Sequence, residues 1–264
     1  MGRSRVFLSP LRVAPEQPMT TNPSPQPAAT DALDDQLGRL GLPAGTIRDR
    51  QAGLDEPLRE FHRGVLGGFL AHAGPPPAPA VASMAAGLGL DPREALRALA
   101  VADLVHTDPA TGQIVVAYPF SGRPTSHRVE LAGGPVVAAM CALDALGILQ
   151  MTGSDARISS TDPSGGQPVT VALHSEVWQW RPAATVVLVA TAAEGVCGAV
   201  ADCCCPHINF HPDPQHAQAY LQADQGLTGE VLGQAEAVKV AGRIFGGLLD
   251  PHGRQAMNGT DTRR

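Results

Sequence analysis

Residues 133–149 read Gly133-Gly134-Pro135-Val136-Val137-Ala138-Ala139-Met140-Cys141-Ala142-Leu143-Asp144-Ala145-Leu146-Gly147-Ile148-Leu149, a run apolar on nearly every side. Gly-Gly-Pro is a favourable helix start, and a helix apolar all round belongs in an interior. The run therefore predicts a buried helix from Pro135 to Leu149 with other elements layered around it. Its one ionisable carboxylate is Asp144, and no Lys or Arg lies within the segment. Burying an unpaired carboxylate is costly or forces protonation. Cys141 stands three residues earlier, about 60° away round a helix that turns about 100° per residue, so thiol and acid can face one cavity. A single buried cysteine is usually just a small core residue. The pairing with an acid is what marks Cys141 and Asp144 as candidates.

On the N-terminal side, Met1 to about Thr30 is rich in Pro, Ser, Thr and Gln, and residues 1–50 are expected to be mostly a disordered tail. Met19 offers a second plausible start. Apolar residues at helical spacing from Leu54 to Leu70 predict a helix ended by Gly74-Pro75-Pro76-Pro77. A short helix fits Ala80–Leu88, and a third starts at Asp91-Pro92-Arg93-Glu94, where Asp91 caps and Pro92 suits the first helical position. A turn at Asp108–Gly112 then leads to a strand at Ile114–Tyr118. Three helices followed by a small hairpin make residues 51–120 a winged-helix-like region. Between Ala80 and Val116 its balance is -2, from Arg93 and Arg97 against Asp91, Glu94, Asp103 and Asp108. That deficit argues against DNA, whose binding draws on Lys and Arg contacts to phosphate.

On the C-terminal side, short β-like runs at Arg128–Leu131, Ala156–Ser160, Pro168–Leu173 and Thr185–Ala190 precede helical stretches at Pro214–Ala223 and Glu230–Leu249. The fold class expected is α+β, the winged-helix-like region packing on a mixed α/β catalytic core at residues 121–250. Residues 251–264 read as a second disordered tail. A net charge of -6 argues against a polyanionic partner, and no apolar run reaches the roughly 18–20 residues that span a bilayer. Without a secretory segment, the cytoplasm is expected.

Five cysteines in a chain with no export signal predict reduced thiols. Four lie between Cys197 and Cys205, ending in Cys203-Cys204-Cys205-Pro206-His207-Ile208-Asn209-Phe210, expected in a loop or on a strand entering one. The C-x-x-C spacing of structural zinc is absent; Cys203, Cys205 and His207 alternate but lack a fourth ligand. A soft, thiophilic ion such as mercury needs only two sulfurs. His62, His72, His127, His174 and His216 are isolated and are not expected to be ligands.

Met140-Cys141-Ala142-Leu143-Asp144-Ala145-Leu146, then Ala156-Arg157-Ile158-Ser159-Ser160, then Cys205-Pro206-His207-Ile208-Asn209-Phe210 together resemble the alkylmercury lyase family, over a span from Leu54 to Leu249. The resemblance implies carbon–mercury bond cleavage by protonolysis, releasing a hydrocarbon and Hg(II). It implies Cys141 and Cys205 as catalytic cysteines and mercury ligands, with Asp144 as catalytic acid and further ligand. Cys204 is the alternative second thiol, and Cys203 and His207 are possible accessories. No cofactor is required; an external thiol is co-reactant, Hg(II) is the bound product, and small thiols or a mercuric reductase take it away. Met140 departs from the aromatic residue common before the first cysteine. The competing readings are a soft-metal-responsive winged-helix regulator and a non-catalytic mercury-sequestering relative.

Overall fold

The computed structural model describes residues 45–192 and 200–250, together with 35, 37–40 and 42. Expectations for residues 1–34 and 251–264, and for Cys197, lie outside the described residues. Helix α1 (Ile47–Ala52) carries a capping box between Thr46 and Asp49. It is followed by α2 (Glu56–His72), α3 (Ala78–Gly87) and α4 (Pro92–Val101). Asp91 caps α4 by accepting from the amides of Arg93 and Glu94, as its sequence predicts. Glu94 pairs with Arg97 one turn on.

Strands β1 (Val105–Thr107), β2 (Ile114–Ala117), β3 (Phe120–Ser121), β4 (Arg128–Leu131), β5 (Val136–Ala139), β6 (Ala156–Thr161), β7 (Pro168–His174) and β8 (Val177–Arg181) form one sheet in the order β1-β2-β3-β5-β4-β6-β7-β8. All its pairings are antiparallel. The sheet thus runs without a break across residue 120. A second sheet has β9 (Val186–Ala192) between β10 (Ile208–His211) and β11 (Leu227–Leu232). Helices α5 (Ala142–Thr152), α6 (Val200–Cys203), α7 (Pro214–Ala223) and α8 (Gln234–Phe245) complete an α+β fold.

Helix α5 contacts β4, β5 and β6 of the large sheet, β10 of the small one, and α8. Nine of its eleven residues are buried, so it is the centre of the core. Around it the core is largely Val, Leu and Ala, with Phe69 of α2 stacked on Phe120 of β3 at 5.2 Å. No helix among the described residues is long and apolar enough to cross a membrane.

The structure corrects three expectations. The helix predicted from Pro135 begins only at Ala142. Val136–Ala139 is strand β5, and Gly133, with φ of 66°, turns the β4–β5 hairpin just before it. Four consecutive apolar residues have no distinguishing period in the sequence, and paired β-branched valines fit a pleated surface, here with Val137 and Ala139 facing inward. Residues 230–232 belong to β11, not to the last helix, which starts at Gln234. The tail expected to reach residue 50 ends earlier: Leu37, Leu40 and Ile47 are buried in the core, and Ile47 already belongs to α1.

Candidate active site

Because α5 starts at Ala142, Cys141 is its N-cap and Asp144 its third residue. Cap and third residue face each other across the first turn, the relationship that a capping box exploits with hydroxyl and carboxyl. Here sulfur takes the hydroxyl's place. Cys141 Sγ accepts from the Asp144 amide at 3.4 Å and lies 2.6 Å from Asp144 Oδ2, to which its S–H donates.

The second thiol arrives from the other end of the core. Helix α6, a single 3-10 turn at Cys205–His207, and β10 carry the cysteine run in place of the expected loop or strand. The turn is fixed by Asn209, whose Nδ2 donates to the Pro206 carbonyl at 2.9 Å. It puts Cys205 Sγ 3.8 Å from Asp144 Oδ2. One ligand atom each from Cys141, Asp144 and Cys205 lie within 4.8 Å of one another, all three residues buried.

Burial holds the Asp144 carboxyl up at about 7, although hydrogen bonds from Cys141 and Cys205 pull the other way. Its Oδ1 is buried and has no partner among the described residues. Burial likewise pushes the Cys141 thiol well up, reinforced by the neighbouring Cys205 and Asp144. At Cys205 the hydrogen bond from Cys141 favours the thiolate, but burial and the charges of Asp144 and Asp103 outweigh it and raise the thiol. Burial therefore favours the protonated form of all three groups over their charged forms.

These groups open on an apolar cavity of about 60 Å³. Leu143 of α5, Ile208 of β10, and Ile244 and Phe245 of α8 wall it, and Leu37, Leu42 and Ile47 cover it. Tyr118 lines it too, its hydroxyl accepting from the Ala201 amide at 2.6 Å and so joining the β2–β3 connection to α6. Arg50 lies at its edge, paired with Asp103, which also pairs with His106. Two thiols and an acid in an apolar cavity can bind a soft ion and move a proton.

Of the residues selected from sequence, Cys141, Asp144 and Cys205 come together. Cys204 is buried but does not line the cavity. The Cys203 side chain lies outside the description. His207 is half-buried and shares a hydrogen bond with the Tyr220 hydroxyl of α7 at 3.3 Å. Four of the five histidines set aside make structural contacts: His62 with Gln51, His127 with Ser160, His174 with Asp155 and His216 with Asp213. Sequence reasoning did not find Tyr118, Phe245, Arg50 or the covering residues. Only Tyr118 had a local signal, an aromatic before Pro119 at a strand end.

Residues 120–246 match the family model described as alkylmercury lyase. No curated protein matches the chain. Among solved structures, the mercury-bound form of MerB2 is similar in fold: TM-score 0.60 at 20% identity, over 74% of this chain and 93% of that one.

Proposed function

We propose that the chain is a member of the alkylmercury lyase family, whose model matches residues 120–246, and that it cleaves carbon–mercury bonds by protonolysis with Cys141, Cys205 and Asp144. The observation that carries this reading is the carboxyl of Asp144, fully buried and in reach of two sulfurs.

Thiolate is the form that binds mercury. An organomercurial R–Hg–X entering the cavity exchanges X for one sulfur, and X leaves with that thiol's proton. Asp144 takes the proton of the second thiol as its sulfur adds to mercury. Two sulfur donors raise electron density on the metal and polarise the carbon–mercury bond toward carbon. Asp144 then passes its proton to carbon, R–H leaves, and Hg(II) remains on the two sulfurs. The sum is R–Hg–X plus two thiols giving R–H, HX and a mercury dithiolate. A carboxyl that titrates near 7 suits both halves of this transfer, since it is neither a strong acid nor a permanent proton holder. No cofactor enters. External thiols, or a mercuric reductase, remove the ion, and free thiols at Cys141, Cys204 and Cys205 fit a reducing cytoplasm.

Helices α2, α3 and α4 followed by the β1–β2 hairpin support the winged-helix-like reading of residues 51–120, with residues 121–250 as the catalytic region. The regulator reading is disfavoured because β2 also pairs with β3, so the would-be wing is continuous with the large sheet. The test is hydrocarbon release: headspace methane or benzene should appear from methyl- or phenylmercury with excess thiol. Tight binding with no hydrocarbon would favour the sequestering relative.

A further inference from the structure

Gly147 sits one turn beyond Leu143 and Asp144 on α5, buried against α8. A Cβ at this position would lie 2.3 Å from Cδ2 and 2.6 Å from Cγ of Phe245. The Phe245 ring is therefore seated in the gap where a side chain at 147 would be. The same ring is a wall of the cavity that holds Cys141, Asp144 and Cys205. Its position is thus set by the missing side chain of α5, and the same residue lines the space left for the organic group. That space is small. The cavity measures about 60 Å³, whereas an apolar cavity that takes up benzene measures roughly 150 Å³.

We propose that Phe245, seated on Gly147, is the residue that limits the size of the organic group, and that the site is matched to short alkylmercury compounds over aryl ones. The proposal rests on the lyase reading and deepens it. Leu143, Ile208 and Ile244 complete the wall, but of the four it is Phe245, in the last turn of α8, whose ring lies against the bare backbone of Gly147.

The experiment compares kcat/KM for methylmercury and phenylmercury in the wild type, Phe245→Ala and Gly147→Ala. One methylene of pocket space changes discrimination by roughly 10–200-fold, so Phe245→Ala should raise the phenyl-to-methyl ratio by about tenfold or more. Gly147→Ala, which drives the ring toward the cavity, should lower it. Binding of inorganic Hg(II), which has no organic group, should be the same in all three. A ratio unchanged in Phe245→Ala overturns the proposal, and that variant decides alone if Gly147→Ala does not fold. A wild type that releases hydrocarbon from neither substrate overturns the lyase reading itself.

Discussion

Cys141 and Asp144 are the N-cap and third residue of one helix, with Sγ 2.6 Å from Oδ2. The cap position leaves the thiol at the head of α5, where unpaired amides favour negative charge, and fixes the carboxyl beside it. In the proposed mechanism one local motif thereby supplies both a mercury ligand and its proton partner.

Structure and chemistry at Cys141 can be separated with serine. Ser is a better N-cap than Cys, so Cys141→Ser should be as stable as the wild type or up to about 1 kcal/mol more so, as thermal unfolding will report. Hydrocarbon release should fall by more than roughly 1,000-fold, because a hydroxyl does not hold mercury. Residual activity near wild type would remove Cys141 from the reaction.

For the second thiol, Cys205→Ala should be inactive while Cys204→Ala keeps most of its turnover, since only Cys205 reaches Asp144 and the cavity. The reverse pattern in hydrocarbon assays would transfer the role to Cys204.

Asp144 also makes stability depend on pH. Its folded value is raised to about 7, from an unfolded value near 3.9. Folding therefore takes up a proton between these values, and stability falls as pH rises from about 4 to 7. Asp144→Asn should remove this slope and gain on the order of 2 kcal/mol at pH 8. Denaturant melts across that range check it; an unchanged slope would assign the titration elsewhere.

Asn209 acts through the turn that presents Cys205. Asn209→Ala removes the bond to the Pro206 carbonyl and should destabilise the protein by about 1 kcal/mol. It should also weaken Hg(II) retention against competing thiol, while leaving Cys141 reactivity toward a thiol reagent in the unfolded protein as before. Undiminished retention would mean that the turn holds without it.

How much of this was legible in the sequence varied with the kind of signal. Caps and periodic faces read well: Asp91-Pro92 starts α4, and α7 spans Pro214–Ala223 as expected. The three side chains that meet at the cavity were also singled out, Cys141 and Asp144 as a thiol and a lone acid in a greasy run, and Cys205 only through the family resemblance. What failed was structure decided by partners far away in sequence. Val136–Ala139 is a strand because β3 and β4 flank it, and residues 227–232 pair with β9. Leu37, Leu42 and Ile47, scattered among Gly and Pro, cover the cavity although nothing local predicts it. Phe245 is one more apolar position of an amphipathic helix until its ring is found against Gly147.

The most direct test of the account is one turnover of phenylmercury in deuterated water by the wild type and by Asp144→Asn, without external thiol. The wild type should release benzene carrying one deuterium and keep one equivalent of Hg(II) on Cys141 and Cys205, while the Asn variant binds phenylmercury and releases no benzene. Benzene from the Asn variant at the wild-type rate would contradict the account, because the proton would then reach carbon without Asp144.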